Sequence, residues 1–442
     1  MSESNQSDGG ETITEALDRA IEHHRNGELT KAEWAYQEVL EYEPNHPDAL
    51  HLLGVLFHQL GDSDSAIERV QASLASNPDQ PKALNNLGNI FAAAKRSEDA
   101  IETYQKAIDL KPNYTEAIHN LGNVYNELDR LTESVECFRR AIELVEDDAT
   151  TWSALGAAYE KLSQFDDAIE AYQTASSLDE DSVGPLSRLG AVYRKLNQID
   201  RARSIYEKWL ELKPDDPIAT HFLHACSPTE DSPTRASVDY VRSTFDSFAE
   251  EFDDCLEGLG YQVPKLLGEM AEEYVDAMED DSLAIVDLGC GTGLCASHLR
   301  PLAKRLVGVD LSPNMLFYAK QREAYDDLVE SDLIQYLEST TDRFDVILSA
   351  DTLLYLGDLR PTFAAAANVL TDQGIVIFSL EALAGNDSSG FQLRPSGRYA
   401  HSEACVREWI EQAGLKIREI RQAMLRQEGT ELISGFLVAA GK

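Results

Sequence analysis

Positive charge is scarce in this chain. Its 442 residues include 38 lysines and arginines against 78 aspartates and glutamates, for a formal net charge of −40. Nucleic-acid binding draws its affinity from clustered lysines and arginines that release counterions from phosphates. No such cluster is present, which sets a nucleic-acid partner aside. Cysteine is sparse too: Cys137, Cys226, Cys255, Cys290, Cys295 and Cys405 form no CxxC pair and do not alternate with histidine at zinc-ligand spacing. No metal site is expected, and the six read as free thiols in a reducing compartment. An apolar run of membrane-spanning length and a secretory leader are both missing, so no membrane partner is expected and the cytoplasm is the expected location. The surplus acid suits either a solvated surface in high salt or basic partners, and composition does not separate the two.

What is there is first of all periodic. Gly54, Gly88, Gly122, Gly156 and Gly190 recur every 34 residues; Ala32, Ala66, Ala100, Ala168 and Ala202 keep the same period, with Ser134 in the one gap. Small residues at fixed places let two helices of a repeat cross closely. In Leu87-Gly88-Asn89, Asp99-Ala100-Ile101 and Asp109-Leu110-Lys111-Pro112-Asn113 the pattern resembles tetratricopeptide repeats. Six units are expected over 13–216, the first with Ala20 in place of glycine, followed by a solvated capping helix to residue 226. The resemblance implies an α solenoid whose groove docks a protein or peptide partner. Asn86 and Asn120 hold one equivalent position and Asn89 and Asn123 another; amides there suit either a peptide backbone or ordinary bonding between helices. His51, His58 and His119 are expected to pack or face solvent. Residues 1–11 are expected to be disordered, and 227–234, with two prolines and no apolar side chain, to be a linker that lets two halves move.

The second half turns on Ala284-Ile285-Val286-Asp287-Leu288-Gly289-Cys290-Gly291-Thr292-Gly293, a hydrophobic strand that runs into an acid and alternate glycines. Such a turn brings backbone against a ligand without Cβ interference, and the following helix would point its N-terminus into the same crevice. A dinucleotide fingerprint also fits Gly291, Gly293 and Ala296. However, Asp287 would face its pyrophosphate, a like-charge contact, whereas S-adenosylmethionine offers a sulfonium and an ammonium group. Asp287, Gly289, Gly291 and Gly293 match the first motif of the class I S-adenosylmethionine-dependent methyltransferases, which this stretch resembles. Cys290 is small enough for the turn. A second strand, 305–310, ends in Asp310, placed to hydrogen-bond both ribose hydroxyls; Ser312-Pro313 caps the next helix and leaves that acid free, with Leu311 beside it. After a third strand, Asp332 followed by Leu333 is preferred to Glu330 for the adenine amino group, on the resemblance. The fourth strand, 343–351, ends on the cofactor edge, where Ala350 is a cofactor-binding candidate; 374–380 is the fifth. Strands at 416–424 and 433–440 would form a hairpin through 427–430.

The fold implied is an α solenoid of tetratricopeptide repeats followed by an α/β, Rossmann-like, seven-stranded class I methyltransferase sheet with an antiparallel last strand, over 13–226 and 239–442. Methyl transfer asks for a donor and acceptor held close and collinear in a dry pocket, with a base where the acceptor is a hydroxyl or ammonium. Two segments beyond strand ends are candidates. One holds Tyr355. The other, a loop from Phe391 to Ser402, holds Arg394, Arg398 and Tyr399 as acceptor-binding residues and His401 as a base, unless His401-Ser402 only caps the next helix. Phe245, Phe248 and Phe252 fall on one helical stripe. They resemble the aromatic N-terminal helix that covers the cofactor in small-molecule methyltransferases, and Tyr261 would join that cover. The whole resembles bacterial proteins that join repeats to a quinone-biosynthesis-type methyltransferase domain. This implies methylation of a small-molecule or protein acceptor; the alternative is a repeat scaffold whose second domain binds cofactor without catalysis.

Overall fold

The computed structural model describes residues 12–229, 232–275, 283–383, 390–428 and 431–442. The chain divides into two compact units, Met1–Val192 and Tyr193–Lys442. The segment 1–11 and the turn residues 429–430, for which the sequence suggests disorder and a hairpin loop, lie outside the described residues.

The first unit is a series of helix pairs. These are α1 (Ile13–Arg25) with α2 (Leu29–Tyr42), α3 (Pro47–Gln59) with α4 (Ser63–Ser76), and α5 (Pro81–Ala93) with α6 (Ser97–Leu110). Then come α7 (Thr115–Glu127) with α8 (Leu131–Leu144), α9 (Ala149–Lys161) with α10 (Phe165–Leu178), and α11 (Gly184–Lys195), within which the division falls. The periodic glycines have a common reason. A Cβ on Gly54 would stand 2.5 Å from Val70, on Gly88 2.5 Å from Tyr104, on Gly122 2.8 Å from Phe138 and on Gly156 2.7 Å from Tyr172, each the same interval along the chain. One large side chain of the second helix thus lies flat on the bare backbone of the first. The turn inside each pair holds one left-handed residue, glycine at Gly27 and Gly61 but Lys95, Asp129 and Ser163 later, where a side chain bears the strain.

The second unit continues with α12 (Ile199–Leu212), α13 (Pro217–Cys226), α14 (Val238–Phe248), α15 (Phe252–Gly258) and α16 (Val263–Val275). Strands and helices then alternate as β1 (Ala284–Leu288), α17 (Ala296–Leu299), β2 (Arg305–Asp310), α18 (Pro313–Gln321), β3 (Asp327–Glu330), α19 (Leu333–Ser339) and β4 (Phe344–Ser349). The chain ends with α20 (Arg360–Val369), β5 (Leu370–Ala382), β6 (Phe391–Leu393), β7 (Tyr399–His401), α21 (Glu403–Gln412), β8 (Lys416–Glu428) and β9 (Glu431–Gly441). The main sheet runs β3-β2-β1-β4-β5-β9-β8, with the first five parallel and β9 antiparallel to both neighbours. Strands in such a sheet are covered on both faces and are apolar throughout. Val286 and Val307 pack with Leu337 and Phe363 on one face, while Ile285 and Leu306 pack with Leu267 and Leu299 on the other.

Four expectations are corrected. The segment after β5 is not a loop: β6 and β7 form a hairpin, and β7 extends the sheet alongside Glu381 and Ala382. The helix after the glycine turn, α17, is only one turn long and supplies little of a helix macrodipole. The end of the proline-containing stretch is fastened, because Thr234 O accepts from the N–H groups of Gly357 and Asp358 (2.8 and 3.0 Å), Ala236 N–H donates to Tyr355 O, and Tyr399 OH donates to Pro233 O, while 230–231 lie outside the described residues. Finally, α13 does not offer a solvated outer face; His221, Ala225 and Cys226 are buried.

Overpacking a close crossing costs about 1–3 kcal/mol. Gly88→Ala should lower the stability of the repeats by about that amount in chemical denaturation followed by circular dichroism.

Candidate active site

Strands β1, β2 and β4 end on one edge of the sheet, and the loops that leave them meet there. Gly289 has φ 72°, and a Cβ on it would stand 2.1 Å from Thr352 Oγ1, so only glycine fits. The N–H groups of Gly289 and Cys290 both donate to Val309 O, at 2.7 and 3.0 Å. Gly291, also left-handed, opens outward: a Cβ there would meet only Phe252, at 3.8 Å. Its N–H donates to Asp310 Oδ2 at 2.9 Å, while Ser312 N–H donates to Asp310 Oδ1 at 2.9 Å. Ser312 does cap α18, through its hydroxyl, but its backbone engages Asp310, so that acid is less free than expected. Each carboxylate oxygen can still accept a second bond. Burial raises the Asp310 pKa, and the N–H bonds from Ser312, Gly291 and Leu311 act against that rise.

These loops line a cavity of about 340 Å³, within the usual range for a cofactor site. Gly289, Gly291, Asp310 and Leu311 contribute from the first two loops, Asp332 and Leu333 from the loop after β3, and Ala350, Asp351 and Tyr355 from the loop after β4. Phe245, Phe248 and Phe252 line it from α14 and α15, as does Tyr261. Phe252 meets Phe245 edge-on at 6.1 Å, and Phe245 meets Tyr355 edge-on at 5.5 Å. The cover is fastened by polar contacts. Asp246 accepts from Ser312 Oγ at 2.5 Å, Asp253 from Thr292 Oγ1 at 2.5 Å and from Arg322, and Arg242 reaches Leu311 O and Glu330.

Not all the residues singled out from sequence reach this cavity. Asp287 is 1 % exposed beneath the glycine turn, where Tyr325 OH donates to its Oδ2 at 2.7 Å and Oδ1 has no partner. Burial pushes its pKa up to about 7, opposed by the Tyr325 bond. Gly293 is left-handed, and a Cβ on it would stand 3.1 Å from Arg322 and Tyr325; Cys290 is a buried thiol whose pKa burial drives well up. Asp332 caps α19 through the N–H groups of Ile334 and Gln335 and pairs with Arg235 at 2.5 Å. Arg398 does line the cavity. Arg394 instead bonds Ala382 O at 2.9 Å, and Tyr399 is buried with its hydroxyl on Pro233 O.

His401 is fully buried, with Nε2 donating to Leu356 O and Gly357 O at 2.9 and 3.1 Å. Burial lowers its pKa to about 4. It is a core residue that ties β7 to the loop after β4, and it does not line the cavity.

Sequence reasoning missed a buried cluster beside Arg398. Arg426, 3 % exposed, bonds Asp351 at 3.0 Å, Glu428 at 2.7 Å, and Glu381. Arg398 pairs with Glu428 at 2.5 Å and lies 3.7 Å from Glu381. Asp351 is left-handed, at φ 49°, and exchanges bonds with Ser379. The available signal was the one that marks Asp310: Asp351 and Glu381 are acids closing apolar strands.

In the repeats, the amides mostly bond one another. Asn120 Nδ2 donates to Asn85 and Asn89 at 3.2 and 3.0 Å, Asn86 meets His51 at 2.8 Å, and Tyr104 OH donates to Asn89 at 2.6 Å. His51 is buried and His119 bonds Thr151, as packing residues do. Among the described residues no helix is long and apolar enough to cross a membrane, and no group of three or more acids, histidines and cysteines gathers as metal ligands.

Comparison with known proteins bears on this geometry. A methyltransferase-domain family matches residues 286–378, which hold the glycine turn and Asp310, and tetratricopeptide-repeat families match 35–68, 59–115, 114–181 and 161–223. The chain joins tetratricopeptide repeats to a class I methyltransferase domain. The malonyl-[acyl-carrier protein] O-methyltransferase of Yersinia pestis is 27% identical to it over 150 residues, 34% of this chain and 53% of that one. The ubiquinone biosynthesis O-methyltransferase of Bartonella quintana is 28% identical over 124 residues, 27% of this chain and 50% of that one. The chain thus spans about half the length of these curated relatives. Among solved structures, MamA protein aligns at 25% identity and a TM-score of 0.36, covering 38% of this chain and 92% of that one.

The buried acid of the methyltransferase domain gives a pH signature. Its folded-state pKa, about 7, is raised above the unfolded value, so its contribution favours folding at low pH and is lost as pH rises through 7. Asp287→Asn, which keeps a partner for Tyr325, should therefore stabilise the ligand-free protein at pH 8 by on the order of 2 kcal/mol and by much less at pH 5, in denaturant titrations.

Proposed function

We propose that the methyltransferase domain transfers a methyl group from S-adenosylmethionine to a small-molecule or protein acceptor, and that the repeats dock a protein partner. The carrying observation is the pair formed by Gly291 and Asp310: an open left-handed glycine beside a carboxylate held by two backbone N–H groups at the end of β2. These residues fit the cofactor. The carboxylate can accept from two vicinal hydroxyls while the bare glycine admits the nucleoside against the backbone. Among the described residues no cation pairs with Asp310, whereas Asp332 and Asp351 are paired with Arg235 and Arg426. Uncompensated negative charge at that point favours hydroxyl donors and a cationic cofactor over a pyrophosphate.

When bound, S-adenosylmethionine supplies an electrophilic methyl carbon on a sulfonium. The chain's part is to bind and orient. Leu311 and Leu333 give apolar surface for a base, and Asp332, its oxygens already engaged by Ile334, Gln335 and Arg235, holds that loop. Phe245, Phe248 and Phe252 keep water out, which strengthens the remaining electrostatics. Arg398 and Tyr355 are the acceptor-facing groups of this reading, with Arg398 oriented by Glu428. The cluster around Arg398 holds three acids to two arginines, so it suits an uncharged acceptor group better than a phosphate.

Calorimetry with S-adenosylmethionine should show binding, and Asp310→Ala should weaken it by about 10- to 100-fold through loss of charge-assisted hydrogen bonds. Asp310→Asn, which can still accept from Gly291, separates that loss from collapse of the turn. Binding of a nicotinamide dinucleotide instead would overturn the reading. Incubation with methyl-labelled cofactor and fractionated extract should then label either proteins or metabolites; label in neither refutes catalysis.

A further inference from the structure

The helices that end the repeat array pack against two elements of the cavity wall. The C-terminal end of α11, together with α12 and α13, belongs to the second unit, and a buried aromatic cluster joins them to two parts of the cavity wall. At its centre is His221, 6 % exposed. Its Nε2 lies 2.8 Å from Gly397 O; a carbonyl only accepts, so that nitrogen carries the proton. Its ring stacks on Tyr240 with centroids 3.8 Å apart and planes at 18°. Burial holds the imidazole below its usual pKa, which keeps it in the neutral form that stacks and donates in this way.

The adjoining residues fix the same two elements. Phe222 meets Tyr240 edge-on at 5.8 Å and lies under the Arg194 guanidinium at 3.7 Å. Arg194 donates to Tyr206 OH at 2.8 Å and to Pro395 O at 2.6 Å. Gly397 is left-handed at φ 86°, and a Cβ on it would stand 2.7 Å from Phe222, so the turn between β6 and β7 is fitted closely to α13. The next residue is Arg398, in the cavity wall. Tyr240 is on the first turn of α14, whose Phe245 and Phe248 line the same cavity.

The two ends of the cover are therefore held differently. Its N-terminal end is seated in buried aromatic surface, whereas farther along it is fastened by hydrogen bonds from Ser312 to Asp246 and Thr292 to Asp253 and by half-exposed ion pairs, Arg242 with Glu330 and Asp253 with Arg322, the ion pairs each worth little in water. Movement of the cover to exchange ligands would begin at the end held by the more exposed contacts.

We propose that His221 and Arg194 are positioning residues of the cavity, seating the Tyr240 end of α14 as the hinge of the cover and fixing the turn that carries Arg398. The proposal deepens the methyltransferase reading, on which it rests for what the cavity holds. Hydrogen exchange on the full chain, without ligand and with S-adenosylhomocysteine, tests it. His221→Ala should speed exchange in 238–248 and in 394–401 by about tenfold or more while 81–110 keeps its native rate. His221→Phe, which can stack but not donate, should restore slow exchange in 238–248 and leave 394–401 fast; Arg194→Ala should speed 394–401. Native exchange in 238–248 for His221→Ala, with 81–110 intact, overturns the proposal. So does a failure of His221→Phe to separate the two segments. If the native chain binds no S-adenosylhomocysteine, the methyltransferase reading fails, and the ligand-free exchange still decides this one.

Discussion

One carboxylate holds the functional edge of the sheet together. Asp310 accepts an N–H from the loop that leaves β1 and another from the loop that leaves β2, so the two loops share a single anchor. The parallel register between those strands brings the loops to the same height, with Leu288 opposite Val309. Gly289 then has to pass under Thr352, which ties the end of β4 into the same knot. A cofactor placed there meets a surface whose dipoles are already oriented, and little reorganisation accompanies its arrival.

Much of this was written in local patterns. The 34-residue period is legible because each glycine answers a specific large residue of its partner helix, and geometry of that kind repeats with the chain. Acids closing apolar strands located Asp310 and the loop after β3, because a buried strand has no other reason to end in a charge. The same sign stands at Asp351 and Glu381, but the arginine cluster was missed, because their partner Arg426 lies far along the chain in β8 and no local pattern names it.

Other features were illegible for physical reasons. His401 reads as polar and available in sequence, but its strand is three residues long and exists only by pairing with the end of β5, which drives the ring into the core. Asp287 reads as a ligand-facing charge, yet one residue of strand alternation places it beneath the turn rather than above it. The stretch at 227–234 has the composition of a tether, but composition does not record that N–H groups after β4 and the Tyr399 hydroxyl will donate to the carbonyls of Thr234 and Pro233. The sequence of the capping helix asks only for solvent, because nothing in it identifies the surface that covers it.

That covering has a practical side for anyone wishing to isolate the methyltransferase domain. A cut in the proline-containing stretch, the natural choice from composition, would strip Tyr240 of its stacked imidazole, unpair the carbonyl of Gly397 and leave Phe222's seat empty. Raw aromatic surface of this sort makes a fragment sticky. A fragment that begins ahead of α11 keeps the seam closed, because it carries Arg194 along with the rest of the lining.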